Sequence, residues 1–334
     1  RNKASRRGKA HMFGTAKRTM AAIGLTLGVA LASSAQAADF PKKPVAMIVA
    51  YSPGGGTDTA ARVLAKYIKP HLGQRLIIQN KPGAGGQIGF TALANAKNDG
   101  YKIGFINVPS IFLVKMLREG VPYEMGDYEM IGNIQLDPVV LTVPADSPYK
   151  TFADLIAAAK AAPDEVTVGG DGPQSNNQLQ LVVAEDLLGI DLNFVPFNGS
   201  GPAITATLGN QIEASVPSAS SATSHIQSGN LRALAVFADK RYPFLPDVPS
   251  VAEATGVEVP GIGASMRGVA VPKGVDEDKR RKLEAAFKAV VLDPAFKEHV
   301  ERMGLPLAYM SADEFTSYLS EAEAGVANYV ELLK

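Results

Sequence analysis

Residues 45–68 read VAMIVAYSPGGGTDTAARVLAKYI, and this stretch decides the fold. Val45 to Ala50 is a short, unbroken apolar run of the kind that forms a strand buried on both faces. Pro53, Gly54, Gly55 and Gly56 break it, and Thr57 and Asp58 open a stretch of helical period. Strand, glycine turn, helix points unpaired backbone N–H groups beyond the strand's carboxyl end, where the helix dipole favours an anion. The turn lacks both the Gly-Lys-Ser/Thr of a P-loop and the last glycine of GxGxxG. It reads as a seat for a small polar or anionic ligand, without phosphate-binding machinery.

The same alternation continues outward from this unit. Strands are predicted at 75–79, 102–107, 139–143, 166–169, 193–196, 213–216, 232–237 and 266–271, with helices at 57–67, 88–96, 152–161, 177–188 and 203–208. Thr151 is a good N-cap, with Asp154 in the first turn. From Asp276 the pattern changes to consecutive helices at 276–291, 294–303 and 312–333. The expectation is an α/β fold of mostly parallel sheets flanked by helices, ending in a helical C-terminal segment. No internal repeat is evident. Extended crossings near Leu136-Asp137-Pro138 and Gly261-Ile262-Gly263 predict two lobes: residues 38–140 plus 262–334 form a discontinuous first lobe, and 141–261 the second.

Residues 12–37 carry targeting features. Lys17 and Arg18 precede an apolar run from Met20 to Leu31, and Ala35-Gln36-Ala37 offers a small-x-small cleavage site before Ala38. That run is shorter than the roughly 20 residues of a membrane span, so a cleaved signal peptide and export to the periplasm are expected. Arg1 to His11 form a tag-like extension. The charges balance, with 33 basic and 33 acidic residues, and they are interspersed. Neither a nucleic-acid face nor a polybasic membrane patch is indicated. Cysteine is absent, which excludes disulfides and cysteine-based zinc or redox chemistry.

Five further turns follow strands, and several repeat the composition of the first: glycine, a hydroxyl or amide side chain, and a helix start, with no Lys or Arg. They are Pro82 to Gly89, the segment after residues 102–107, Gly169 to Asn177, Asn198 to Pro202, and Pro217-Ser218. Most of them are expected to face one polar pocket rather than to serve as turn formers alone. The candidate ligand contacts are Tyr51, Ser52, Gly54, Gly55, Thr57 and Asp58 from the first turn, with Gly85, Gln87, Asn107 and Ser110 from the next two. Asp171, Gly172, Gln174, Ser175, Asn198, Ser200 and Ser218 come from the middle region. Arg267, in the predicted strand after the second crossing, is either a ligand contact or half of a structural ion pair. Catalytic constellations are poor. There is no HExxH and no GxSxG, the histidines are scattered, and Ser147-Pro148-Tyr149-Lys150 matches SxxK only in letters because Pro148 makes it a turn. No metal site, cofactor or enzymatic activity is expected.

These residues resemble the periplasmic solute receptors of tripartite tricarboxylate transporters, also called Bug receptors. The resemblance covers nearly all of 38–334. It rests on Pro41-Lys42-Lys43-Pro44, Ser52 to Asp58, Asn80 to Gly86, Asp99-Gly100-Tyr101, Val195-Pro196-Phe197, Gly229 to Val236, Leu245 to Ser250, Ser265 to Gly268 and Val271 to Gly274. It implies a type II-like, two-lobed periplasmic binding protein, monomeric, that closes on a small carboxylate-bearing solute and delivers it to a permease of two subunits. In such receptors the glycine loops hold carboxylates through backbone N–H groups, hydroxyls and bridging waters. The ligand class implied is a di- or tricarboxylate or an aromatic acid.

Two departures stand out. Pro217-Ser218 replaces the Asp-Asn of many members, which argues against amino-acid ligands that need an acidic partner for their ammonium. The loop Asp171 to Asn176 is longer than the common form and is similar to that of the tricarboxylate branch. Two other readings remain at this stage: a ligand-loaded partner of a sensor kinase, and a secreted hydrolase or lyase.

Overall fold

The first apolar run forms β1, Val45–Val49, and the residues after its glycine turn form the helix Gly56–Tyr67. The computed structural model describes residues 40–334; the predicted signal peptide and its cleavage site lie outside them. The remaining strands are β2 (Leu76–Asn80), β3 (Lys102–Val108), β4 (Tyr128–Asp137), β5 (Val139–Pro144), β6 (Thr167–Gly170), β7 (Asn193–Pro196), β8 (Ala214–Ser215), β9 (Leu231–Phe237), β10 (Ser265–Pro272) and β11 (Leu307–Ser311). They make a six-stranded sheet, order β11-β4-β10-β3-β1-β2, and a five-stranded sheet, order β7-β6-β8-β5-β9.

Both sheets are mixed, which corrects the expectation of mostly parallel ones. β1 lies parallel to β2 and β3, whereas β10 runs antiparallel to both β3 and β4, and β11 antiparallel to β4. In the second sheet β6 is parallel to β7 and β8, and β5 runs antiparallel to β8 and β9. The reason is topological: β5 and β10 each follow a passage from the other sheet and insert against the local strand direction. The sequence β2-β1-β3-β10-β4 in one sheet is matched by β7-β6-β8-β5-β9 in the other. The two halves thus share a wiring that their residues do not reveal.

β4 and β11 are absent from the sequence-based set. β4 carries the buried polar residues Asn133, Gln135 and Asp137, which dilute its apolar pattern. β11 is a half-buried edge strand that interrupts the predicted run of helices between Pro294–Arg302 and Ala312–Ala327. Helix starts agree with the capping chemistry: Thr151 and Asp154 form a reciprocal capping box, as do Ser250 with Glu253 and Ser311 with Glu314.

Ile48, Phe90, Ile106 and Phe112 form the core against the first sheet, joined by Phe315 of the C-terminal helix. Leu141, Val168, Leu179 and Phe237 form that of the second. Val326 and Val330 belong to this second core, so the C-terminal segment packs on the first sheet with Phe315 and reaches the other half with its last turn. The chain therefore passes between the halves at Asp137–Val139, between β9 and β10, and again near Val326. Among the described residues no helix is long and apolar enough to cross a membrane.

Candidate functional site

The turn after β1 is held from beneath by Asp58. Its carboxylate accepts from Gly54 N (3.0 Å), Arg62 Nε (2.8 Å) and Asn80 Nδ2 (2.9 Å). Burial alone would raise this carboxyl, but those bonds outweigh it and hold Asp58 below the usual carboxylate range. Asp58 is thus occupied in shaping the loop. Gly54 sits at φ +86°, a conformation that favours glycine, whereas Gly55 at the N-cap has φ −83°. Gly56 is the crowded position: a Cβ there would lie 2.3 Å from Arg267 Nη2 and 2.7 Å from Ser220 Oγ.

Beyond this turn Thr57 Oγ1 accepts from Asn107 Nδ2 (2.9 Å) and from Arg267 Nε (3.2 Å). A hydroxyl with both acceptor positions filled keeps its own proton for a third partner. Asn107, at the end of β3, also donates to Ser265 Oγ (3.3 Å). Arg267 lies on β10 next to a β-bulge, which re-aims side chains locally, and it is fully buried. Its Nη1 is 2.7 Å from Asp137 Oδ2 and its Nη2 donates to Ser218 Oγ (3.3 Å). Asp137 also accepts from Ser220 N (3.1 Å) and from the Ser220 hydroxyl. The structural ion pair is therefore present at Arg267, and its charge is neutralised from within.

The turns of the second sheet meet this cradle. Ser52 N donates to Asn198 O (2.9 Å), so Asn198 contributes its carbonyl while its side chain is exposed. Gly55 faces Ser200 and Gly201 at ordinary contact distance. Ser110 Oγ donates to Asn176 Oδ1 (3.1 Å) and accepts from Asn176 N (3.0 Å). Ser200 Oγ donates to Asp171 Oδ1 (2.7 Å) and accepts a long bond from Ser218 N (3.4 Å). Tyr51 is buried among these groups, with its Oη 3.5 Å from Gly85 O, and burial pushes its phenol well up. Gly172 packs against the backbone of Gly85.

Arg118 fastens the mouth. It donates to Ala84 O (2.9 Å) and Gln87 Oε1 (2.7 Å) on one side, and to Pro173 O (3.0 Å) and the Gln174 side chain on the other. Gln87 and Gln174 are thereby engaged by the protein. Ser175 acts as the N-cap of the helix Asn176–Leu188, accepting from Gln178 N.

Among the sequence-selected residues, the structure links Thr57, Asn107, Asp171, Ser200, Ser218 and Arg267 in one buried hydrogen-bonded network, and buries Tyr51 and Ser110 as well. Ser52, Gly54, Gly55, Gly85 and Gly172 supply backbone around it. Asp58, Gln87, Gln174 and Ser175 are committed to structural bonds. Sequence reasoning missed Arg118, Ser220, Ser265 and the pairing role of Asp137, and it did not select Gly56 and Asn176 although both lie in turns it singled out. Asp137 carried a local sign of its own, a carboxylate before proline at the end of an apolar stretch. Among the described residues no cluster of His, Asp or Glu could hold a metal ion.

Two mixed sheets whose glycine turns close on each other over a polar network define a two-lobed solute-binding protein. Residues 60–331 match the model of the tripartite tricarboxylate transporter family receptor, and the chain belongs to that family. The protein BugT of Bordetella pertussis is 34% identical over 78% of this chain and 80% of its own length. The periplasmic binding protein BugD has a solved structure that superposes with a TM-score of 0.81 at 29% identity, covering 88% of this chain and 97% of that one. A Rhodopseudomonas palustris protein solved with adipate gives 0.81 at 25% identity, over 88% and 98% of the two chains. The members compared are periplasmic binding proteins and transport receptors rather than enzymes, and this chain is one of that kind.

Proposed function

We propose that this receptor captures a small carboxylate-bearing organic acid between its lobes and delivers it to a two-subunit membrane permease. The observation that carries the reading is the cradle at Gly56–Thr57. Backbone N–H groups at a helix start, a hydroxyl with a free proton and a neutralised Arg267 converge where the turns of both sheets meet. Charge-assisted bonds from such donors hold a carboxylate without a free cationic side chain. The adipate bound by a relative supports the same class of ligand. The lobes are taken as 38–140 with 262–334, and 141–261, rotating about the passages at 137–141 and 262–265. Export follows cleavage between Ala37 and Ala38, and the receptor works as a monomer.

Isothermal titration of residues 38–334 against dicarboxylates, tricarboxylates and aromatic acids tests this. Saturable binding of at least one acid, weakened roughly tenfold by Thr57→Val, is expected from the loss of one bond to a charged group. Absence of binding to every acid at millimolar concentration would overturn the proposal.

A further inference from the structure

The cleft holds a carboxylate that the cradle does not need. Asp171 follows β6, is only 8% exposed, and its one hydrogen bond among the described residues comes from Ser200 Oγ. Among the described residues no basic side chain bonds to it. Its hydrogen-bonded route to a cation runs through two serines, Ser200 to Ser218 to Arg267, and Arg267 already pairs with Asp137. The buried charges at the centre are therefore two carboxylates and one guanidinium. A plain diacid entering here adds negative charge to a site already negative, in surroundings of low dielectric. The neighbouring helix start adds a further acceptor. Asn177, fully buried, donates to Val216 O, which fixes its amide orientation and leaves Oδ1 without a partner. Burial also pushes the Asp171 carboxyl up to about 6 against the bond from Ser200 and the field of Arg267, so its charge is held at a cost that a donor from the ligand relieves.

Building on the ligand class put forward above, we infer that Asp171 is a specificity-determining residue, selecting acids that carry a hydrogen-bond donor, hydroxyl or ammonium, over plain diacids. The donor bonds to the Asp171 oxygen left free by Ser200, while the ligand carboxylate rests on the Gly56–Thr57 cradle. This assigns to the Asp171 loop the acidic partner that the sequence seeks, and does not find, at Pro217-Ser218.

Matched skeletons test the assignment: succinate, its hydroxyl derivative malate and its amino derivative aspartate, with glutarate, 2-hydroxyglutarate and glutamate as the longer set. Titration of residues 38–334 should show at least one substituted acid binding tenfold or more tighter than its plain parent. Which derivative wins separates hydroxyl from ammonium. In Asp171→Asn that ratio should fall below about threefold, with the plain acid unchanged or tighter. A plain parent that binds as tightly as both derivatives would overturn the inference on the native protein alone, leaving the acid-binding reading intact. So would a ratio unchanged in an Asp171→Asn variant that melts like the parent. Failure of all six acids to bind would overturn the inference, and failure of the tricarboxylates and aromatic acids as well would remove the acid-binding reading with it.

Discussion

Converting Asp137 to asparagine should destabilise the protein by about 3–5 kcal/mol, the range observed when one partner of a buried pair is removed. The size follows from the geometry. Arg267 Nη1 and Asp137 Oδ2 are 2.7 Å apart, with side chains 1% and 0% exposed. At a charge separation of about 4 Å and an effective dielectric near 20, the attraction is about 4 kcal/mol. Asparagine keeps the shape and one acceptor for Ser220 N, so the loss is chiefly that of the charge left uncompensated on Arg267. Urea unfolding followed by circular dichroism reads the effect as a fall in midpoint at constant slope. The double variant Asp137→Leu with Arg267→Met removes both charges, and it should recover most of the loss because neither ion then remains buried. A single variant that costs under about 1 kcal/mol would refute the reasoning, since a charge as enclosed as Arg267 cannot lose its partner so cheaply.

Gly56→Ala should abolish ligand binding and lower the melting temperature, because its Cβ would collide with Arg267 and Ser220, whereas Gly55→Ala, whose nearest neighbour would be 3.6 Å away, should bind within about threefold of the parent; equal behaviour of the two variants in titration would contradict the placement of the crowded glycine. Arg118→Ala removes bonds to Pro173 and Gln174 and should enlarge the radius of gyration in small-angle scattering while weakening ligand, and an unchanged scattering curve would show that the latch does not hold the closed form. Glu185 is raised to about 7 by burial, opposed by its bond from Leu192 N and helped by Asp191 and Asp164. Its penalty on the native state is absent below about pH 4.5, grows through the window up to 7 and is complete above it, so Glu185→Gln should stabilise by about 1–2 kcal/mol at pH 8, discounted for partial exposure, and by almost nothing at pH 4. Equal melting shifts at both pH values would exclude that linkage.

The first sheet was legible in its parallel part because β1, its glycine turn and the helix Gly56–Tyr67 are all encoded locally, by an apolar run, a break and a helical period. Ser200 and Ser218 were found for the same reason, as hydroxyls beside helix starts. Of the antiparallel strands, β5, β9 and β10 were legible as strands but not in direction, and β4 and β11 were not legible at all. β4 hides its pattern behind Asn133, Gln135 and Asp137, whose polarity makes sense only once β10 and Arg267 lie beside them. Arg118 offered no signal either, since its four partners sit on two loops about thirty and fifty-five residues away. Gly54 and Gly55 were selected from three consecutive glycines, but the need for glycine falls on Gly54 by its backbone angle and on Gly56 by crowding. Such assignments depend on what approaches from elsewhere in the chain.

The third passage between the halves, made by Val326 and Val330, has a mechanical consequence. Two bodies joined by two nearby links can bend and also twist about the line between the links. Val326 lines the same groove as Leu136, Gly261 and Ile262, so the third link sits beside the other two and broadens the join at one edge, which resists the twist and leaves a bend about a single axis. Opening of this receptor should then resemble a door on its hinges more than a ball in a socket, so the turns at Gly56 and Ser200 separate and return along one arc. Paired spin labels on the two lobes would show two sharp distances rather than a broad spread, and each closing stroke would bring Thr57 and Asp171 back to the same registration around whatever solute lies between them.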